Sequence, residues 1–134
     1  MTVDVVLITN NARIVGHVSS SRFIEGVAQD VFIAARDLVH QGWRLLTHPL
    51  YGNFRPSQQP FRSVLLRKPA ISPAPVDMDS LKLLEEALVL HALPRQVPAT
   101  GSGSGFSSEA LEDLAFLDME LMKESLLRDH LWIP

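Results

Sequence analysis

The residues best suited to chemistry fall in two blocks that are distant in sequence. One is Thr9-Asn10-Asn11, at the end of a β-branched run; the other runs from Thr47-His48-Pro49 through Tyr51-Gly52-Asn53-Phe54-Arg55-Pro56 to Pro60-Phe61-Arg62-Ser63. Arg55 and Arg62 can fork onto a carboxylate or phosphate, and the Thr47 hydroxyl and the asparagine side chains can hydrogen-bond its oxygens. Gly52 permits a positive φ or a close backbone approach. Thr9, Asn10, Asn11, Thr47, His48, Gly52, Asn53, Arg55 and Arg62 are therefore the candidate ligand-binding residues, for an oxygen-rich anion. Asn10 and Asn11 also have a plainer reading as turn formers that tolerate left-handed backbone, and that reading is favoured.

His48 is the one candidate catalytic residue. Its imidazole titrates in the range a general acid or base needs, and Pro49 holds it out of helical geometry. Capping the strand end through neighbouring backbone is the favoured alternative, because no acidic partner lies nearby in sequence. His17, His40, His91 and His130 are dispersed, with no His-x-x-x-His pair and no carboxylate at ligand spacing, so neither a metal nor another cofactor is expected. Asn10-Asn11-Ala12-Arg13 lacks the glycines of a dinucleotide fingerprint, and the 47–63 block lacks the Lys-Ser/Thr ending of a P-loop. Ser19-Ser20-Ser21 is no nucleophile elbow and reads as loop. Asp118, on a helix rich in leucine and methionine, can reach a basic site residue or face solvent, and solvent is the default.

The elements that would position these groups follow from local pattern. Val3-Asp4-Val5-Val6-Leu7-Ile8-Thr9 reads as a largely buried strand ending at Asn10-Asn11. Val27, Val31, Ala34, Ala35, Leu38 and Val39 recur at helical spacing before Gly42, which sits where a left-handed C-cap belongs. Trp43-Arg44-Leu45-Leu46-Thr47 is a second short strand. Strand, helix and strand with a tight turn predict a βαβ unit whose right-handed crossover lays both strands parallel, their carboxyl ends facing one crevice where ligands bind. The connection over residues 10–26 is longer than that unit needs and has room for a further short helix or strand around Arg22-Phe23-Ile24-Glu25. Phe61-Arg62-Ser63-Val64-Leu65-Leu66-Arg67 is a third strand candidate. Asp77 can cap a helix with its body over residues 81–93, and Phe106, Ser107 and Leu111 fit a hydrophobic staple around the N-cap of a last helix reaching about Arg128. A flexible Gly/Ser loop is expected at about residues 99–106. The predicted class is α/β: a small open sheet, two- or three-layered, with a parallel βαβ unit and C-terminal helices, in one domain over residues 1–134.

Composition narrows the function classes. The chain has 134 residues, 46% hydrophobic and 20% charged, and no cysteine, which excludes disulfides, thiolate nucleophiles, Cys-ligated zinc and iron–sulfur clusters. No run reaches the roughly 18 to 20 apolar residues of a membrane helix. The opening Met1-Thr2-Val3-Asp4 has no basic n-region, so a cytoplasmic protein without membrane contact is expected. The formal net charge of −3 conceals a division. Residues 1–37 carry three basic and four acidic side chains, residues 38–76 carry five basic and no acidic ones, and residues 77–134 carry four basic and eleven acidic ones. A basic centre of this kind points to an anionic partner, or to neutralisation by the acidic helices within one fold. Nucleic acid is disfavoured: the cations are few, the chain is acidic overall, and the interleaved aromatics are limited to Tyr51, Phe54 and Phe61. The apolar excess on the last two helices, with Met119, Met122, Leu126, Leu127 and Trp132, suits a core, or a homodimer interface.

Val5 to Asn11 (VVLITNN), the helix end Ala35-Arg36-Asp37-Leu38-Val39-His40-Gln41-Gly42 and the block LLTHPLYGNFRP…PFRS resemble GrdX-like proteins, small proteins encoded with the glycine, sarcosine and betaine reductase systems of amino-acid-fermenting bacteria. The resemblance covers roughly residues 5–90, is most specific at Leu-Leu-Thr-His-Pro-Leu, and is loose in the C-terminal helix. Where the family pattern is closer to Gly-Ser and Lys-Pro-Asn, this chain has Tyr51-Gly52-Asn53 and Arg55-Pro56-Ser57, keeping basic charge but altering the small hydroxyl-bearing loop. The resemblance implies an accessory role near a reductase complex, with no catalytic residues to carry over. The expected function is an accessory protein whose basic 44–68 segment binds a small anionic metabolite or the acidic surface of a reductase-system protein. The alternative is a small enzyme acting on a phosphorylated or carboxylated metabolite through Thr47, His48, Arg55 and Asn10.

Overall fold

The computed structural model describes residues 4–92 and 105–134. The expected Gly/Ser loop falls outside the described residues except for Gly105 and Phe106. The chain runs β1 (Val5–Thr9), α1 (Ala12–Val15), β2 (Ser21–Phe23), α2 (Ala28–His40), β3 (Arg44–Leu45), β4 (Ser63–Arg67), α3 (Met78–Leu90) and α4 (Ser108–Arg128), with a single 3-10 turn, Tyr51–Asn53, between β3 and β4.

The class is α/β, as the pattern predicts, but the pairing differs from the predicted unit. The sheet order is β2-β1-β4-β3. The hydrogen-bonded parallel pair is β1 with β2, joined through α1, so the long 10–26 connection supplies both a helix and a strand. β4 pairs antiparallel with β1 on one side and with β3 on the other. β1 and β3 therefore run in the same direction across α2, but β4 lies between them. Burial explains the insertion. Val64, Leu65 and Leu66 are all wholly buried, which only a central strand covered on both faces can satisfy, whereas β3 offers two residues and takes the edge.

Alternation along the strands divides the core into two layers of contact. Ile8, Val64 and Leu66 pack on one face against Val31, Phe32, Ala35 and Leu38 of α2 and Leu84 and Ala87 of α3. Val5, Leu7 and Leu65 pack on the other against Ile14 of α1 and Met119, Met122 and Leu126 of α4. The sheet thus lies between two helical layers. Each buried leucine of β4 contributes about 2 kcal/mol to this arrangement.

The helix ends use the signals visible in sequence. Gly42 has φ +99, and Trp43 N–H donates to Leu38 O while Gly42 N–H donates to Val39 O, the paired bonds of a Schellman ending. Asp77 caps α3, accepting from the amide and hydroxyl of Ser80, and the Ser80 hydroxyl oxygen accepts from Leu45 N–H, which ties the start of α3 to β3. Ser107 caps α4 through Ala110 N–H. After α4 the chain returns to residues 17–19: Ser19 N–H donates to Leu131 O, Ile133 N–H donates to His17 O, and the His17 and Trp132 rings stack at 4.9 Å.

Candidate functional site

β1 ends where β4 begins, with Thr9 in register with Ser63, and the segment after β3 continues along β4 through Leu46 N–H to Leu65 O. The two chemistry-bearing blocks therefore meet at one end of the sheet. What the structure does with each residue there varies.

Thr9, Asn10 and Asn11 are buried and bonded within the fold. Asn10 Nδ2 donates to the carbonyls of Gly26 (3.2 Å) and Pro60 (3.0 Å), and its Oδ1 accepts from Arg62 N–H (2.8 Å). Asn11 caps α1 by accepting from Arg13 N–H, and its Nδ2 donates across to α4, to Ala115 O (2.8 Å) and Asp118 Oδ2 (3.0 Å). Thr9 Oγ1 lies 2.7 Å from Ser63 Oγ and accepts from Asn11 N–H. Ser63 has one hydroxyl proton and donates it to Asp118 Oδ2 at 2.8 Å, which leaves Thr9 as the donor to Ser63.

Asp118 is the main correction to the sequence reading. Instead of facing solvent it is 1% exposed, and its carboxylate joins α4 to the end of the sheet. Burial pushes its pKa up to about 7, against the opposing effect of the Asn11 hydrogen bond. Its second oxygen, Oδ1, has no partner among the described residues. A signal was present in sequence: Asp118 falls between Ala115 and Met122 at spacings of three and four, on the stripe that α4 buries.

Arg62 is wholly buried, and burial lowers its pKa to about 10, so the guanidinium remains charged at neutral pH. Nη1 donates to Tyr51 O (3.0 Å) and Nη2 to Phe54 O (3.1 Å), while both aromatic rings stand within 6 Å of Cζ, at 5.8 and 5.9 Å. Nε has no partner, and no carboxylate pairs with this arginine among the described residues. His91, the C-cap of α3, is also buried: Phe32 meets the imidazole edge-on at 5.0 Å, Nδ1 lies 3.1 Å from Ala87 O, and Nε2 has no partner among the described residues. Burial foremost, then the charge of Arg62, lowers the His91 pKa. Nothing in the dispersed histidine pattern signals this role.

The remaining candidates lie nearer the surface. Thr47 Oγ1 accepts from Leu65 N–H, extending the sheet by a side chain. His48 is exposed, and its Nδ1 accepts from Leu50 N–H at 3.0 Å, capping the chain after β3. Gly52 has φ +78, and a Cβ there would stand 2.6 Å from the Phe54 ring. The Asn53 side chain lies outside the described residues. Arg55 is exposed and, with Pro56, Ser57 and Leu90, borders a cleft of about 400 Å³. Arg55 follows Phe54 in the chain, and the Phe54 ring stands 5.9 Å from Arg62 Cζ.

The basic centre does not form one patch. Arg44 pairs with Asp77 at 3.7 Å and Arg67 with Asp129 at 3.3 Å, so acidic residues of the 77–134 segment neutralise two of the five cations. Arg62 is interior. Arg55 and Lys68 are exposed and enter no ion pair among the described residues; Arg55 lies in the loop before β4 and Lys68 directly after it. No helix among the described residues is long and apolar enough to cross a membrane.

No curated protein and no solved structure gives a significant match. The GrdX-like protein family matches residues 6–127, from β1 almost to the end of α4, further than the resemblance in the first two thirds of the sequence implies. That span includes both blocks of the site and the helix that carries Asp118, and with it the chain belongs to the GrdX-like protein family.

Proposed function

We propose that this protein is a cytoplasmic accessory protein of glycine, sarcosine or betaine reductase systems that acts by binding a small anion at the end of the sheet formed by β1 and β4. The observation that carries the reading is Arg62: a buried cation balanced, among the described residues, by two carbonyl dipoles and two aromatic faces, with its Nε–H unpartnered. A buried charge without a counter-ion is costly, and an anion brought by a ligand would offset that cost. Arg55, exposed on the neighbouring cleft, adds a second cation on the approach. An acidic partner surface is the weaker form of the reading, because Arg62 is interior and Arg44 and Arg67 already have acidic partners.

Binding is favoured over turnover because His48, the sequence candidate for acid–base chemistry, uses Nδ1 to cap backbone. Titration of the 15N-labelled protein with acetate and with inorganic phosphate tests the proposal. Shifts concentrated in residues 51–62 that are lost in Arg62→Met, measured on protein shown to be folded, are the expected result. No shift with either anion would refute it. Co-purification of a reductase component from a native host tests the accessory role separately.

A further inference from the structure

A second cleft, of about 220 Å³, opens between α1, the approach to β4 and the first turns of α4, and Asn11, Arg13, Phe61, Leu111, Glu112 and Ala115 line it. Its floor is apolar: Phe61 and Ala115 are buried and pack with Leu111 and Leu114 in a small cluster separate from the two main layers of the core. The bond from Asn11 Nδ2 to Ala115 O, 2.8 Å long, ties the wall on the α1 side to the wall on α4. A cation on α1 and an anion on α4, Arg13 and Glu112, also line the cleft, and both are exposed. Neither enters an ion pair, with the other or with any other side chain, among the described residues. Next to the cleft stands Phe116, 45% exposed and one turn beyond Glu112 on α4. Arg13 Cζ lies 5.2 Å from its ring centroid, so the cation that borders the cleft also touches this ring.

We propose that this face is a contact between two copies of the chain, in which Phe116 of each enters the cleft of the other and Arg13 of each pairs with Glu112 of the partner subunit. In a two-fold contact every feature must find its complement within the same patch on the second copy. Here an exposed ring has an apolar cleft, and an unpaired cation has an unpaired anion, all on neighbouring turns of α1 and α4. A foreign partner would have to supply each complement separately, whereas a second copy brings all of them. Aromatic and arginine side chains are also those that interfaces concentrate. Seating the rings excludes water from the charges beside them, which strengthens both pairs. Registers that set Arg13 against Arg13, or Glu112 against Glu112, are opposed by repulsion, so the charges select one orientation. The patch is small, and the association is accordingly reversible. Arg62 has no part in it, so this proposal and the anion-binding reading stand or fall separately.

Sedimentation velocity of the full chain, from micromolar to millimolar concentration, tests the contact. The expected result is a mass that rises from one chain toward two. Phe116→Ala, Arg13→Glu and Glu112→Arg, all at exposed positions and each shown to be folded by its NMR spectrum, should each weaken the dimer by about tenfold or more. Combining Arg13→Glu with Glu112→Arg exchanges the two charges and should recover the association that either reversal loses. A mixture of 13C-labelled and unlabelled wild type needs no substitution: it should show contacts between the Phe116 ring of one copy and the Leu111 methyls of the other. A mass of one chain throughout overturns the proposal. So does a dimer that withstands any of the three single changes, one that the double reversal fails to restore, or one without the Phe116–Leu111 contacts.

Discussion

Replacing Asp118 by Asn gives the most direct access to the energetics of this fold. The amide has the shape of the protonated acid and keeps an oxygen for Asn11 Nδ2 and Ser63 Oγ, so it holds the network in its uncharged form. In the unfolded chain the aspartate titrates at about 3.9; in the folded protein burial raises it to about 7. A raised folded pKa contributes stability that is fully present below the unfolded value and is lost as pH rises to the folded one. The window is therefore about pH 4 to 7, with a loss of about 1.4 kcal/mol per pH unit and on the order of 4 kcal/mol in total. Urea unfolding of wild type and Asp118→Asn across pH 4 to 9 measures it. Near pH 4 the two proteins should have nearly equal stability. The variant should then gain on the wild type through neutrality and stay ahead by a constant amount above about pH 8. Titration of the remaining carboxylates cancels in the difference. A difference that does not vary with pH would refute the argument, because it would mean that Asp118 ionises as readily folded as unfolded.

Asn10→Ala should destabilise by roughly 2 to 4 kcal/mol in chemical denaturation, since it removes the donors to Gly26 O and Pro60 O and leaves Arg62 N–H buried without its acceptor. Gly52→Ala should cost roughly 2 kcal/mol from the positive φ and the contact with the Phe54 ring, and should weaken anion binding by displacing the carbonyl that holds Arg62; unchanged stability and binding would show that the turn is not a support. Asp77→Ala should cost about 1 kcal/mol as a lost N-cap. The Ser80 hydroxyl chiefly holds the Asp77 carboxyl below the usual range, so that contribution is present above the unfolded value and should disappear from the wild type as pH falls through the lower folded one. His48→Ala should change stability by less than about 1 kcal/mol and leave acetate binding intact, as expected of an exposed backbone cap; loss of binding would return His48 to the site.

Much of the fold was legible because its signals are local. A β-branched run ending in two asparagines marks β1, Gly42 marks the end of α2, and Asp77 and Ser107 mark the starts of α3 and α4. The two blocks of the site were also legible, together with the strand ends that bring them to one side of the sheet. The role of each residue was less so. Asn10 and Asn11 carry the amides a ligand would want, yet Asn10 is saturated by backbone groups, and Asn11 by backbone and the Asp118 carboxylate, most of which only the closed fold supplies. Asp118 looks like any acid on a helix until α4 docks, although its place on the buried stripe could have distinguished it.

By itself the sequence determined the α/β class, the caps that end α2 and start α3 and α4, the absence of thiol chemistry and a centre without acidic residues, because propensity, capping and composition act over a few residues at a time. The tertiary structure decided what depends on partners far along the chain. It placed β4 between β1 and β3, since a strand apolar on both faces is stable only where helices cover both. It divided the basic centre by pairing Arg44 and Arg67 with late acidic residues and enclosing Arg62. It also buried Arg62 and His91 and left one side-chain nitrogen of each without a partner among the described residues, an outcome set by packing and not by any spacing in the chain.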